Sequence, residues 1–387
     1  MSNQSSDPAL SYRLRLPGPA TVPERVRQAI SRPVINHRGP EFRALHGRAQ
    51  ELLRPVMGNV NPVLLFASSG TGVMEASLAN ILAAGERVLV VVNGQFGKRF
   101  AEIAETLSAR VDRLEIPWGR VVEPEQIAAL VATVDYRAVV VVHNESSTGM
   151  VTDVAGIGAV LRDLPTLLVV DSVSGLAGLP MRQDEWGIDI LVSASQKCLM
   201  TPPGIGLASL SAKAWSIVNR EDRLPRFYWD FRKARAAAEK LETPFTAPVA
   251  LIAGLKEALE MIHEETLPCV LERHRRLAHA LRTGCAALGL SPFGEEKARS
   301  STVVVMALPE KLNGADIVCR LYERYRTVIA GARNRLAGKI IRIGVMGHVH
   351  EADILLDLEH LEAILTELGW PVTRGAGVAA AKSALLP

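Results

Sequence analysis

The chain has 387 residues, of which 48% are hydrophobic and 22% charged, and its formal net charge at pH 7 is +3. It has no dense basic run and no apolar run of membrane-spanning length, so its composition argues against nucleic-acid binding and against a membrane protein. The first ten residues do not resemble a signal peptide, and Cys198, Cys269, Cys285 and Cys319 are scattered without a Cys-x-x-Cys pair, so we expect a cytoplasmic protein without a metal site.

Short apolar runs rich in β-branched residues alternate with helical patterns over much of the chain. Two of these helical patterns span Val73–Gly85 and Gly97–Ala109. The alternation predicts βαβ units, and therefore an α/β fold with a mostly parallel sheet covered by helices. The strands are predicted at Pro62–Ser68, Arg87–Asn93, Arg137–Asn144, Thr166–Ser172, Asp189–Ser195 and Ile205–Ser211.

The pattern changes near Thr246, where two long helical segments are followed by strands mixed with helices. This order predicts a large domain over residues 1–254 and a smaller C-terminal α+β domain over residues 255–387. The helices are predicted at Pro248–Glu265, Cys269–Gly289, Gly314–Tyr325 and Ala352–Gly369, and the strands at Ser301–Pro309 and Lys339–Gly347.

Lys197 lies in the segment Ile190–Gly206, where an apolar run leads into a bend rich in proline and glycine. A lysine is rarely buried alone, because desolvation disfavours its charged form. A neutral lysine amine is a nucleophile, and its usual use is a Schiff base with a carbonyl compound. The segment by itself leaves two interpretations open: a nucleophilic lysine, or an ordinary one whose ammonium group lies in water.

Polar and aromatic side chains follow several other predicted strands. Ligands collect at the carboxyl ends of strands in an open parallel sheet, so these side chains form one candidate site. The turn Ala67–Gly72 opens a helix and suits a phosphate, although an ordinary capped turn fits the same residues. Asp171, Phe96 and the hydroxyls of Ser146–Thr148 end or follow three further strands. Together with Lys197, these are the groups that bind pyridoxal phosphate.

The order of the motifs is more specific than any one of them. SSGTG, NGQFG, HNESSTG, VVDSV, the lysine segment and IRIGVMG follow one another from Ser68 to Gly347. This order resembles the class V aminotransferases of fold type I, and within them the serine–glyoxylate and alanine–glyoxylate group. The resemblance extends from Leu16 to the C-terminal helix. It implies the fold-type I transferase fold, an aminotransferase activity and pyridoxal 5'-phosphate as cofactor.

The resemblance also implies a role for individual residues. Lys197 matches the lysine that holds the cofactor, and Asp171 matches the acid that keeps the pyridine nitrogen protonated. Phe96 stands where many relatives have a tryptophan over the cofactor ring, and a smaller ring stacks more weakly. Ser146 matches a serine near the ring and the substrate. Arg342 matches the arginine that grips the substrate carboxylate, for which its guanidinium fork is suited.

Further matches concern the phosphate and the partner subunit. Thr246 matches a threonine that reaches the phosphate bound by the partner subunit, so the resemblance implies a homodimer with a shared active site. Some relatives have a tyrosine at the position of Thr243, which leaves that contact open. Residues 1–22 are then expected to form an arm at the dimer or at the small domain. The remaining cofactor-binding residues implied are Ser69, Gly70, Thr71, Val173 and Gln196.

The implied reaction transfers the amino group of a small L-amino acid to glyoxylate, which gives glycine and a 2-oxo acid. We expect serine to be the best donor and alanine the second, because no further arginine is obviously placed for a distal carboxylate. Aspartate is the alternative donor, since Arg38, Arg333 or Arg335 could face the pocket.

Three other functions fit the sequence less well. A cysteine desulfurase needs a reactive cysteine, which the segment Val328–Lys339 lacks, and usually has histidine at the position of Gln196; Cys198 is expected to point away from the site. A nicotinamide dehydrogenase needs a glycine fingerprint whose third glycine is Glu75 here. A non-catalytic member of the fold would be expected to lack one of the three central residues, Lys197, Asp171 and Arg342, and all three are present.

Overall fold

The computed structural model describes residues 12–221 and 224–386, so the first eleven residues of the predicted N-terminal arm lie outside the described part. Its strands are β1 (Arg13–Leu14), β2 (Leu64–Ser68), β3 (Arg87–Val92), β4 (Arg110–Glu115), β5 (Ala138–Val142), β6 (Asn144–Glu145), β7 (Met150–Val151), β8 (Leu167–Asp171), β9 (Ile190–Ala194), β10 (Gly204–Leu210), β11 (Ser291–Pro292), β12 (Val303–Ala307), β13 (Thr327–Val328), β14 (Ala330–Gly331) and β15 (Ile340–Gly344). Its α-helices are α1 (Glu24–Ile30), α2 (Pro40–Met57), α3 (Gly70–Ile81), α4 (Gln95–Thr106), α5 (Pro124–Val131), α6 (Val154–Leu161), α7 (Ala212–Val218), α8 (Phe231–Ala238), α9 (Val249–Glu265), α10 (Leu267–Ala287), α11 (Gly314–Tyr325), α12 (Glu351–Glu367) and α13 (Ala376–Leu385).

The chain divides into two compact units. The large unit comprises residues 22–271 and 294–300, and the small unit comprises residues 12–21, 272–293 and 301–386. The sequence placed the boundary at Leu255, whereas the chain passes from one unit to the other within α10. The reason is that α9 packs on α1 and α2, so it belongs to the large unit.

A seven-stranded sheet forms the centre of the large unit, in the order β2-β10-β9-β8-β5-β3-β4. The strands from β9 to β4 run parallel, while β10 is antiparallel to both of its neighbours. This arrangement confirms the predicted mostly parallel sheet. Strand β5, with the sequence AVVVV, is buried on both faces, as helix-covered parallel strands require.

The small unit is built on a four-stranded antiparallel sheet in the order β11-β12-β15-β14. Strand β1 pairs in parallel with β13, so this part of the N-terminal segment belongs to the small unit. Arg15 and Asp357 are both buried and form an ion pair, with Nε and Oδ2 separated by 2.6 Å. Among the described residues, no helix combines the length and the apolar character needed to cross a bilayer.

Candidate active site

Lys197 lies in the turn that connects β9 to β10. Ser195 closes this turn, because its N–H donates to the Ile205 carbonyl at 3.0 Å and its hydroxyl donates to the Pro202 carbonyl at 2.7 Å. Lys197 is half-buried, and the neighbouring Cys198 is buried. The turn therefore presents the lysine at the carboxyl edge of β9, and the chain returns into the sheet as β10.

Asp171 ends β8, between β5 and β9, and its side chain is buried. Its Oδ1 accepts the Val173 N–H at 2.7 Å. Burial raises the pKa of Asp171 from its ordinary 3.8 to about 6, and the positive charges of Lys197 and Arg99 act against this rise. The electrostatic interaction shows that Lys197 and Asp171 belong to the same end of the sheet.

The start of α3 forms the predicted phosphate site. Ser69 caps this helix, with its Oγ accepting the Gly72 N–H at 3.4 Å. The N–H groups of Gly70 and Thr71 open the helix, where no carbonyl of a preceding turn can accept them, so an anion is favoured there. A Cβ at Gly70 would lie 2.9 Å from Val173 Cγ2, so glycine lets α3 begin directly against the loop that follows Asp171.

Gln196 precedes the lysine in the same turn and is half-buried. Its Oε1 is buried and has no hydrogen-bond partner among the described residues. Because phosphate oxygens accept hydrogen bonds, the amide nitrogen is the group of Gln196 that could bind a phosphate. Ser146 is buried in the turn that connects β6 to β7, and Val142 of β5 pairs in register with Asp171.

Phe96 occupies the first turn of α4, where two residues that the sequence analysis did not single out support it. The Phe96 N–H donates to Glu145 Oε2 at 2.9 Å. The guanidinium carbon of Arg99 lies 4.9 Å from the centre of the Phe96 ring, and Arg99 Nη1 donates to Thr71 Oγ1 at 3.1 Å. A glutamate inside the HNESSTG motif, directly after a buried strand, was the available sequence signal for Glu145.

Two threonines were considered for contacts with the cofactor phosphate. Thr246 is exposed, just before α9 begins. The Thr243 hydroxyl donates to the Phe245 carbonyl at 2.7 Å, and the Thr243 carbonyl accepts a hydrogen bond from Arg38 at 2.9 Å. Within the single chain, Thr243 is therefore engaged in its own turn, whereas the Thr246 side chain faces outward.

Arg342 belongs to the small unit, in the middle of β15. Its Nε and Nη2 both donate to the Gly331 carbonyl, at 3.0 and 2.7 Å. This pair of hydrogen bonds fixes one edge of the guanidinium. A rigidly held guanidinium fork suits bidentate binding of a carboxylate.

Three other arginines were candidates for a distal substrate carboxylate. Arg38 Nη1 lies 2.7 Å from Glu242 Oε2, and Arg43 also pairs with Glu242 at 2.7 Å. Arg38 therefore already has an acidic partner in the large unit. Arg333 and Arg335 are exposed residues of the small unit.

A lysine, a buried acid and a helix start for phosphate at one edge of a parallel sheet define a pyridoxal-phosphate enzyme of fold type I. The profile of the family "Aminotransferase class-V" matches residues 17–354, and the chain belongs to this family. It is therefore a pyridoxal-phosphate-dependent aminotransferase.

Similar proteins come from several organisms. The chain is 37% identical to a serine–glyoxylate aminotransferase of Methylorubrum extorquens, over 96% of this chain and 95% of that one. It is 34% identical to an L-aspartate–glyoxylate aminotransferase of Paracoccus denitrificans, over 95% and 94% of the two chains. The crystal structure of an alanine–glyoxylate aminotransferase from Nostoc sp. superposes with a TM-score of 0.89 at 32% identity, covering 92% of this chain and 96% of that one.

The residues at the carboxyl edge of the sheet fit the groups of pyridoxal phosphate. The missing Cβ of Gly70 lets the N-terminus of α3, where the phosphate would bind, start beside the Asp171 loop. The buried carboxylate of Asp171 suits the protonated pyridine nitrogen, because a buried charge needs an opposite one. Lys197 has a primary amine, the group that could link to the cofactor's aldehyde.

Proposed function

We propose that this aminotransferase moves the amino group of a small L-amino acid to glyoxylate, with serine as the best donor and alanine as the second. The products are glycine and a 2-oxo acid. Glyoxylate as acceptor is supported by the names of all three relatives above. The choice of a small donor rests on one observation. Arg38, a candidate for binding a second substrate carboxylate, already forms an ion pair with Glu242.

When bound, pyridoxal phosphate supplies an aldehyde that links to amines and a protonated ring that withdraws electrons from the substrate's α-carbon. The residues of the chain perform the remaining tasks. Lys197 Nζ would take the proton from the substrate's α-carbon and deliver it to the cofactor carbon that carries the amino group after the transfer. Asp171 holds the proton on the pyridine nitrogen. Arg342 binds the substrate carboxylate and so sets the direction of the bond that breaks.

The proposed enzyme is a homodimer in which Thr246 reaches the phosphate bound by the partner subunit. Thr246 is exposed in the single chain and directly follows the half-buried Phe245. Tyr228 stacks on Phe245 with ring centres 5.0 Å apart, and Phe227 is 71% exposed. Exposed apolar patches of this kind are typical of protein–protein interfaces.

A panel of amino donors tests the proposed substrate. The purified enzyme is assayed with serine, alanine and aspartate at saturating glyoxylate, and kcat/KM is compared. We expect serine to lead, followed by alanine. Aspartate ahead of serine by about tenfold, or about 1.4 kcal/mol, would contradict the proposal, and Arg38, Arg333 and Arg335 would then be substituted first.

Aspartate is kept as the second candidate because the Paracoccus relative at 34% identity is an L-aspartate–glyoxylate aminotransferase. The variant Glu242→Gln separates the two candidates. It releases Arg38 from its carboxylate, so activity with aspartate should rise relative to serine if Arg38 faces the substrate. Glu51→Gln, which removes the surface ion pair between Glu51 and Arg48 in α2, is the matched control.

A further inference from the structure

Glu145 is a fully buried acid whose two carboxylate oxygens accept four hydrogen bonds. Its Oε2 accepts the N–H groups of Phe96 and Gly97 at 2.9 and 3.2 Å. Its Oε1 accepts the N–H and the hydroxyl of Ser147 at 3.0 and 2.6 Å. Every one of these groups is a donor, so the arrangement suits the ionised carboxylate.

These hydrogen bonds cap α4 from another part of the chain. The first N–H groups of a helix have no acceptor within it, and Glu145 takes those of Phe96 and Gly97. The Gln95 N–H donates to Ser147 Oγ at 2.9 Å. A Cβ at Gly94 would lie 2.3 Å from Glu145 Cγ, so only glycine allows this approach. The backbone that carries the Phe96 ring is thus fixed on three successive residues.

Arg99 fixes the ring itself. Its guanidinium lies over one face of Phe96, so a flat ligand would have to stack on the opposite face. The same guanidinium donates to Thr71 Oγ1, so the hydroxyl proton of Thr71 must point elsewhere. Because its oxygen already accepts a hydrogen bond, the Thr71 hydroxyl can donate its own proton to a phosphate oxygen.

We propose that Glu145 and Arg99 are positioning residues that hold Phe96 flat against the cofactor ring and orient Thr71 toward the cofactor phosphate. This inference rests on the cofactor site described above. The two residues act on different parts of the same support: Glu145 on the backbone of Phe96, and Arg99 on its ring and on Thr71. The phenylalanine ring is smaller than a tryptophan ring, so its stacking on the cofactor depends more strongly on its orientation.

The variants Glu145→Gln and Arg99→Met test the proposal. The dissociation constant of pyridoxal phosphate from the apo-protein is measured by absorbance, and the ring orientation by the circular dichroism band of the bound cofactor. We expect the dissociation constant to rise about tenfold in each variant, as for the loss of a charge-assisted hydrogen bond. The dichroism band should weaken, while KM for the amino donor stays unchanged.

Lys98→Met is the matched control, because Lys98 lies in the same helix and is exposed. It should leave both cofactor measurements unchanged. Arg99→Lys keeps the charge without the guanidinium plane and should recover part of the dichroism band. Normal cofactor affinity and a normal band in both Glu145→Gln and Arg99→Met would overturn the proposal.

Hydrogen exchange of the unaltered protein gives a test that needs no variant to fold. The amides of Phe96 and Gly97 should exchange slowly, whereas the amide of Arg25, in the first turn of α1 without a side-chain cap, should exchange fast. Fast exchange at Phe96 and Gly97 would also overturn the proposal. A protein that binds the cofactor as expected here but transaminates no donor would refute the proposed substrate instead.

Discussion

The Asp171 carboxylate accepts the N–H of Val173 at 2.7 Å, so the acid is anchored by the loop that follows its own strand. The bond holds one carboxylate oxygen, and Gly70 packs beside the same loop. The helix start that would bind the phosphate and the acid that would bind the ring nitrogen are therefore joined through Val173. Substitution of the acid should change its charge without disturbing this geometry.

Asp171→Asn is expected to bind pyridoxal phosphate but to lose turnover by a factor of about 10²–10³, because it removes a preorganised charge. Single-turnover absorbance measurements with serine check this. Asp189→Asn is a suitable control, since Asp189 is a buried acid before β9 that pairs with Lys213 at 3.1 Å. It should lower stability but leave the turnover of folded protein intact. Near-normal turnover in Asp171→Asn would assign the charge to another group.

The affinity for the cofactor should depend on pH through Asp171. Burial raises the pKa of Asp171 from 3.8 to about 6 in the chain without cofactor. The folded chain thus holds this proton more tightly than the unfolded chain, so the contribution of Asp171 to stability is present below about pH 3.8 and lost as the pH rises through about 6. The ionised acid pairs with the pyridinium group, so added cofactor should raise the melting temperature more above this pH than below it.

Calorimetric melting with and without pyridoxal phosphate, across this pH range, measures the effect. The variant Asp171→Asn provides the comparison, because an asparagine cannot titrate. The pH dependence of the cofactor-induced shift should be much smaller in the variant. An equal dependence in both proteins would mean that groups other than Asp171 control it.

Lys197→Ala is expected to abolish the covalent attachment of the cofactor and transamination. The measurement is borohydride reduction of the complex followed by peptide mapping, which should locate the label on Lys197 in the unaltered protein. Lys213→Ala is the control, because Lys213 donates to the Thr166 carbonyl at 2.7 Å and lies beyond the opposite end of β9. A label on any lysine other than Lys197 would refute the assignment.

The proposed dimer predicts complementation between two inactive proteins. Lys197→Ala has an intact Thr246, and Thr246→Tyr has an intact lysine but a blocked approach to the partner's phosphate. A mixture of the two, unfolded and refolded together, should recover activity in mixed dimers, and sedimentation at assay concentration should show a dimer. A fully active monomer would contradict the shared site.

Asp357→Asn is expected to destabilise the small unit by about 3–5 kcal/mol, because it leaves the charge of Arg15 buried without its opposite. Hydrogen exchange of α12 amides and thermal melting check this. Asp353→Asn is the control, since the Asp353 side chain is 36% exposed and its pair with Arg13 is longer, at 3.4 Å. Asp353→Asn should lower the free energy of unfolding by less than about 1 kcal/mol. Equal losses in the two variants would contradict the prediction.

The buried strands were predictable, whereas β4 was not. Strands such as β5 are covered on both faces, so their sequences are continuous runs of valine and alanine. Strand β4 forms the edge of the sheet, and its sequence RVDRLE carries charges that only an edge position tolerates. The boundary between the units could not be predicted either, because it lies within α10, where the helical sequence pattern continues unchanged.

The residues of the candidate site also include some that were predictable from the sequence and some that were not. Asp171 and Lys197 were placed at the predicted site because each lies at or just after the carboxyl end of a predicted strand. That position left two interpretations open for Lys197, and only the order of the motifs favoured the Schiff-base lysine. Glu145 and Arg99 were missed, because their contacts join residues far apart in the sequence; Glu145 and Phe96 are 49 positions apart. The role proposed for Thr246 depends on a second chain, which no pattern within one chain describes.

Strand β10 separates β2 from β9, and Gly204 at its start pairs with Ser68 at the end of β2. The residues predicted to bind the phosphate, Ser69–Thr71, directly follow Ser68, and the turn that carries Lys197 ends at Gly204. The register of β10 therefore sets the position of one turn relative to the other along the strands, in steps of about 3.3 Å per residue. One inserted residue in β10 would move the amine against the phosphate site by one such step and invert the strand's faces. The backbone hydrogen bonds that β10 makes with β2 and β9 therefore fix where the two turns start relative to each other, before any side chain contacts a ligand.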